Sequence, residues 1–241
     1  MFQRHCFEDT KSDLVRRLAT FHIFFPDSHT PPEGTEILSQ KELAGYVPNC
    51  AREDGPIYKP SYKVLKEILY PVNVARNIAC ECASTHFIFP SDIELYPSPG
   101  LISHFLKMIR RNEPVLRSPN PKVFVNPIFE IVQGFGMPAN KRELVEYLSQ
   151  GVVVPFHKEI CQTCHKIPDF EEWRQKDLSS TNMRVFRVAK RYWPYDHWEP
   201  IFLGTHADPL YDERLTWEGR GDKMTHAYQM CLLDYEFHIL R

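Results

Sequence analysis

In the stretch HFIFPSDIELYPSPG, residues 86–100, two carboxylates, Asp92 and Glu94, follow closely on the apolar run 87–89. In extended chain, residues i and i+2 point to the same side. Both acids could then reach one hard divalent ion, leaving its other positions to phosphate oxygens and water. An ion on a diphosphate neutralises the charge that develops on a leaving group. Ile93, between the acids, would face the core and hold the turn. The plainer reading is a solvated acidic turn closed by prolines, and spacing by itself favours it.

Asn73, Arg76 and Asn77 form a second group, upstream of the acids. Spacings of three and four put them on one face of a helix. An arginine there could pair with a diphosphate or a sugar carboxylate; the alternative is an exposed polar face. The third group is CQTCHK, residues 161–166, with half of a zinc site in Cys161 and Cys164 and two histidines, His157 and His165, to complete it. A disulfide or two plain thiols is the simpler reading. The richest stretch is residues 204–228, where Asp208, Asp212, Glu213, Glu218 and Asp222 surround glycines and aromatics. An acid beside a glycine turn at a helix start could serve as general base, and Trp217 could stack on a sugar ring. Composition allows an acidic surface loop with capping aspartates equally well.

These groups need a scaffold, and the patterning supplies one. Helices are expected near residues 13–18, over 61–69, over 73–83 with Val74, Ile78 and Ala79 inward, and over 100–111 with Leu101, Ile102, Phe105 and Ile109 on one stripe. Others are expected over 141–150, closed by Gly151, and over 222–235. Strands are expected at 19–25, 87–89, 122–132, 199–205 and 236–240, with 151–193 irregular. Alternating helices and strands imply an α/β fold with a mainly parallel sheet, whose ligands sit beyond the carboxyl ends of the strands. Asp92 and Glu94 lie at such an end.

The 241 residues, 43% apolar and 13% aromatic, supply one large core. A net charge of −2 gives no basic field for nucleic acid. No apolar run reaches the roughly 18 to 20 residues of a membrane span, and the first residues lack the apolar core of a signal peptide. Seven cysteines and no Asn-x-Ser/Thr sequon leave the redox compartment open.

Taken in order, YPVNVARNIA, THFIFPSDIELYPSPGL, FVNPIFEI, CHKIPDFEEW, WEPIFLGTHADPLYDERLTWEG and DKMTHAYQMCLLDYEFHIL resemble glycosyltransferase family 49, from about residue 18 to the end. The resemblance implies a GT-A fold, a Rossmann-like α/β sheet flanked by helices that ends in an acidic metal motif. It implies UDP-glucuronic acid as donor, Mn2+ as ion, inversion at the anomeric carbon, and a xylose-containing glycan on a glycoprotein as acceptor. The implied setting is the Golgi lumen, reached through a type II membrane anchor outside this chain.

Asp92 and Glu94 stand where the family has Asp-x-Asp, with Glu94 as a longer but still hard oxygen ligand. Asn73, Arg76 and Asn77 match its Asn-x-x-Arg-Asn helix and become candidate donor contacts. Glu130 matches an acid near the acceptor. Asp222, where LARGE-type members carry Asn before Lys, is the first candidate base and Glu218 the second. The resemblance also implies further segments of the uridine pocket ahead of residues 19–25, and a metal-binding histidine beyond residue 240. Residues 1–241 would then be a single domain, incomplete at both ends. Two alternatives remain open: an inactive or carbohydrate-binding relative of the same fold, and a zinc-binding interaction protein built on Cys161 and Cys164.

Overall fold

The computed structural model describes residues 17–20, 22, 24–34, 62–180, 182–215 and 221–241. The chain divides into two compact units, Met1–Tyr70 and Pro71–Arg241. In the first, the described elements include a 3-10 turn at Asp27–His29 and the short helix α1, Tyr62–Leu65. The expected helix over 61–69 stops there because Glu67 takes a left-handed backbone and Ile68 bonds back to Lys63. The expected strand over 19–25 is in no strand at residues 19, 20, 22, 24 and 25, and Phe21 and Ile23 lie outside the described residues. So do residues 13–16 of the expected first helix.

The second unit holds helices α2 Val72–Glu81, α3 Leu101–Arg111, α4 Lys141–Gln150, α5 Phe170–Gln175 and α6 Asp222–Leu232. Its strands are β1 Phe87–Ile88, β2 Lys122–Asn126, β3 Phe129–Ile131, β4 Val153–Pro155, β5 Val185–Ala189, β6 Ile201–Thr205 and β7 Glu236–Leu240. Five form one sheet in the order β1-β6-β2-β7-β5, and β3 pairs with β4 apart from it. The α/β class with helices flanking a mixed sheet is as expected. The strand directions are not: β2 and β7 run parallel, but β1–β6, β2–β6 and β5–β7 are antiparallel. Alternation along a chain shows which elements occur, not which edge each strand joins. Strand β6 inserts antiparallel between β1 and β2, and β5, lying in the stretch read as irregular, closes the other edge.

Side chains alternate across this sheet as its pleat requires. Val123, Val125, Phe202, Phe237 and Ile239 pack with Trp173, Trp198 and Met230 on one face. Phe124, Leu203 and Leu240 meet Phe105 and Met108 of α3 on the other. The buried face of α3 is therefore rotated from the expected stripe: Met108 is in the core, and Ile102 is 71% exposed. Helix α4 is as read from the sequence. Asn140 accepts from the Glu143 N–H at its start, and Gly151, with φ of 71°, ends it. Pro127 splits the strand region 122–132 into β2 and β3, since proline has no N–H to give a ladder. Among the described residues no helix is long and apolar enough to cross a membrane.

Gly204 in β6 is required by close packing. A Cβ there would run into the carboxylate of Asp208 and lie 3.1 Å from the Phe202 ring. That carboxylate accepts from the Thr205 N–H at 2.6 Å and the Tyr235 hydroxyl at 3.1 Å, so it cannot swing away freely. Gly204→Ala is expected to lower the unfolding free energy by about 1–3 kcal/mol, the cost of overpacking, read as a shift of the urea midpoint.

Candidate active site

Helix α2 presents its polar face to the protein interior. Asn73 and Asn77 are 0% and 1% exposed, whereas Ala79, expected inward, is exposed. The buried amides hold the chain segment 211–215. Asn73 Nδ2 donates to the Asp212 carbonyl at 2.8 Å and to that of Leu215 at 3.3 Å. Asn77 bonds both sides of the Tyr211 backbone, donating to its carbonyl and accepting its N–H, each at 2.9 Å, and also donates to Glu213. Asn77→Ala would leave two buried backbone groups of Tyr211 without these partners. At about 1–3 kcal/mol for each unsatisfied group, it is expected to destabilise the protein by several kcal/mol in denaturant titration. Asn77→Asp should be no milder, because its second oxygen would face the Tyr211 carbonyl and Glu213, to which the amide donates.

Arg76, one turn into the helix, gathers the charges. Its Nη2 lies 2.9 Å from Asp92 Oδ1, and its Nη1 forms an ion pair with Asp222. Lys223 takes the second oxygen of Asp92. The result is a four-charge chain, Asp222–Arg76–Asp92–Lys223, with side chains 3%, 14%, 22% and 17% exposed. Charges this far from water persist because each is paired. Burial by itself would raise the Asp92 carboxyl; the hydrogen bonds and charges of Lys223 and Arg76 outweigh it and hold it below its ordinary value. The Arg76 guanidinium also lies 5.2 Å from the Tyr211 ring centroid.

The acidic pair is not built as the extended chain suggested. The Leu95 N–H bonds the Asp92 carbonyl at 3.1 Å, so Ile93 and Glu94 form the middle of a turn. Ile93 is 87% exposed rather than in the core, and Glu94 is exposed. The structure thus brings Asn73, Arg76, Asn77, Asp92 and Asp222 together and sets Glu94 on the rim. Glu218 lies outside the described residues, as does Trp217. Glu130 is exposed and accepts the His157 N–H at 2.7 Å.

Among the described residues no group of three or more His, Cys, Asp and Glu is arranged to hold a metal ion. The two carboxylate residues, Asp92 and Glu94, fit a hard ion in donor type. An ion at Asp92 must displace or share with Lys223. Cys161 and Cys164 are joined as a disulfide, so neither supplies a thiolate and the zinc reading fails. The nearby histidines pack instead, with the His157 and His165 ring centroids 5.3 Å apart.

Lys223 is the residue that reading the sequence missed. A signal was present: a cation in the first turn of a helix opposes the helix dipole and therefore needs a carboxylate nearby, which Asp92 provides from 131 positions away.

A profile of the family described as "Glycosyl-transferase for dystroglycan" matches residues 4–241. Beta-1,4-glucuronyltransferase 1 of Danio rerio is 31% identical over 180 residues, 75% of this chain and 40% of the relative. The protein of that name in Homo sapiens is 26% identical over 239 residues, 98% of this chain and 54% of the relative. Xylosyl- and glucuronyltransferase LARGE1 of Danio rerio is 28% identical over 209 residues, 86% of this chain and 24% of the relative. The chain therefore spans about half or less of the length of these relatives. With the family profile covering nearly every residue, the chain belongs to the family of glycosyltransferases for dystroglycan.

Proposed function

We propose that this chain is the catalytic part of a metal-dependent, inverting glucuronyltransferase that uses UDP-glucuronic acid. The observation that carries the reading is the meeting of Arg76 and Lys223 at Asp92, four residues beyond the end of β1. Two cations there suit a diphosphate and the carboxylate of glucuronic acid. Asp92 and Glu94 would hold Mn2+, which when bound neutralises the charge developing on the departing diphosphate. Asn73 and Asn77 serve the donor site indirectly, by holding residues 211–215 against α2. Of the two acids first considered as base, Asp222 is spent on Arg76, and Glu218 keeps only its position in the sequence as support. The acceptor is a xylose-bearing glycan on a glycoprotein, and the setting the Golgi lumen. The Cys161–Cys164 disulfide suits such an oxidising compartment.

Calorimetric titration of UDP-glucuronic acid with Mn2+ or with chelator tests the reading. Binding is expected with Mn2+, and Asp92→Ala should weaken it more than about 100-fold, since even second-shell changes at metal sites cost 10–100-fold. Equal affinity of wild type and variant, or no binding by the wild type, overturns it. One observation favours a second reading, a relative that binds donor without turning it over. Asp92 is already neutralised from within by Arg76 and Lys223. Donor binding without transfer to a β-xyloside would select that reading.

A further inference from the structure

A second set of polar groups away from bulk water is the pair Glu199 and His165. Glu199 precedes β6, in the WEPIFLG stretch, and His165 follows the disulfide. Their side chains are 19% and 4% exposed, and His165 Nε2 faces Glu199 Oε2 at 3.8 Å. The backbone fixes this arrangement: the Glu199 N–H donates to the Cys164 carbonyl at 2.6 Å, and His165 Nδ1 lies 2.9 Å from the Glu199 carbonyl. A carbonyl can only accept, so Nδ1 carries the hydrogen and Nε2 of the neutral ring is an acceptor. An acceptor nitrogen and a carboxylate oxygen thus face one another across a gap too long for a direct hydrogen bond. A molecule seated between them that donates one hydrogen to each, such as water, would satisfy both.

The charges around the pair tie it to the donor site. Lys223, which bonds Asp92, and Arg76 act on the Glu199 carboxyl, and Lys223 and Asp92 act on His165. Burial nevertheless raises the Glu199 carboxyl above its ordinary value, toward the range a general base needs, while burial pushes the His165 imidazole down to about 4. Arg191 carries two buried guanidinium nitrogens, Nε and Nη1, with no hydrogen-bond partner among the described residues.

We propose that Glu199 is the catalytic base of the transfer, with His165 as the positioning residue that holds the Glu199 backbone through Nδ1. The inference rests on the transferase reading above. The acceptor hydroxyl gives its proton to Glu199 Oε2 as its oxygen forms the new bond to the anomeric carbon. The bond from that carbon to the diphosphate breaks, and the electron pair leaves on UDP. The proton rests on Glu199 and passes to water before the next turnover.

The test compares transfer of glucuronic acid to a β-xyloside with UDP titration in the same preparations. Glu199→Gln, matched in shape, should cut transfer by about 10²–10⁴-fold, the usual share of a general base, with UDP affinity within about twofold and the urea midpoint kept. Glu199→Asp should restore part of the rate. His165→Asn should lower the rate less and shift the acid limb of the pH–rate profile. Wild-type transfer by Glu199→Gln overturns the proposal, as does loss of UDP binding in step with transfer, which would mark a donor-site or structural role. A wild-type chain that transfers nothing overturns the transferase reading, and this inference with it.

Discussion

Arg76→Ala is expected to destabilise the protein by about 3–5 kcal/mol, the cost of leaving a buried charge without its partner. Asp222 is 3% exposed and has no hydrogen bond to its Oδ2, only the ion pair to Arg76. Asp92 suffers less, because Lys223 remains on its other oxygen. The loss therefore belongs chiefly to Asp222, and Arg76→Ala combined with Asp222→Asn should recover most of it, since the stranded charge is gone. Denaturant unfolding of wild type, both single variants and the double variant gives the coupling directly. Additive single and double losses would show that the two side chains do not depend on one another. Arg76→Lys should recover little, because one ammonium cannot reach both Asp92 and Asp222 as the two arms of the guanidinium do.

Acid should unfold the protein well above the pH at which its carboxylates titrate. Among the described residues three histidines are buried: His165, His226 and His238, at 7%, 4% and 0% exposure. Burial lowers all three, His165 to about 4 from an ordinary value of 6.5. Between those values the unfolded chain binds a proton at His165 that the folded chain does not. Its contribution is therefore fully present above pH 6.5 and is lost as pH falls toward 4, an amount on the order of 3 kcal/mol. His226 and His238 act in the same direction. Glu199 and Asp208, raised by burial, oppose the trend, but only once their unfolded forms have ionised and the folded ones have not. Urea midpoints should thus fall steadily from pH 7.5 to 5, and His165→Asn should flatten that slope. A midpoint independent of pH over this range would show that the buried histidines carry no such linkage.

Much of this was legible along the chain. The amphipathic run of α4 with Asn140 and Gly151 at its ends, the apolar strands β2, β6 and β7, and the ordered motifs that mark the glycosyltransferase family are local patterns, and local physics determines them. The acidic strand end and the Asn-x-x-Arg-Asn helix were visible as groups of the right chemical type. What each group does was not visible. Asn73 and Asn77 look like a polar surface until segment 211–215 closes over them, because an amide facing water and an amide bonding a buried backbone share one sequence pattern. Strand direction was misread because pleat and period are identical in parallel and antiparallel ladders, and only the path of the chain between strands decides which neighbours meet. Lys223 on Asp92 and Glu199 against His165 are pairs separated by 131 and 34 positions. Charges that distant in sequence find one another only when the sheet is assembled. The sequence by itself determined most of the helices, the strands β1, β2, β6 and β7, the family and the kinds of side chain available for chemistry. The tertiary structure decided which of them are spent on holding the site together and which remain able to act, because burial and pairing are properties of the assembled neighbourhood.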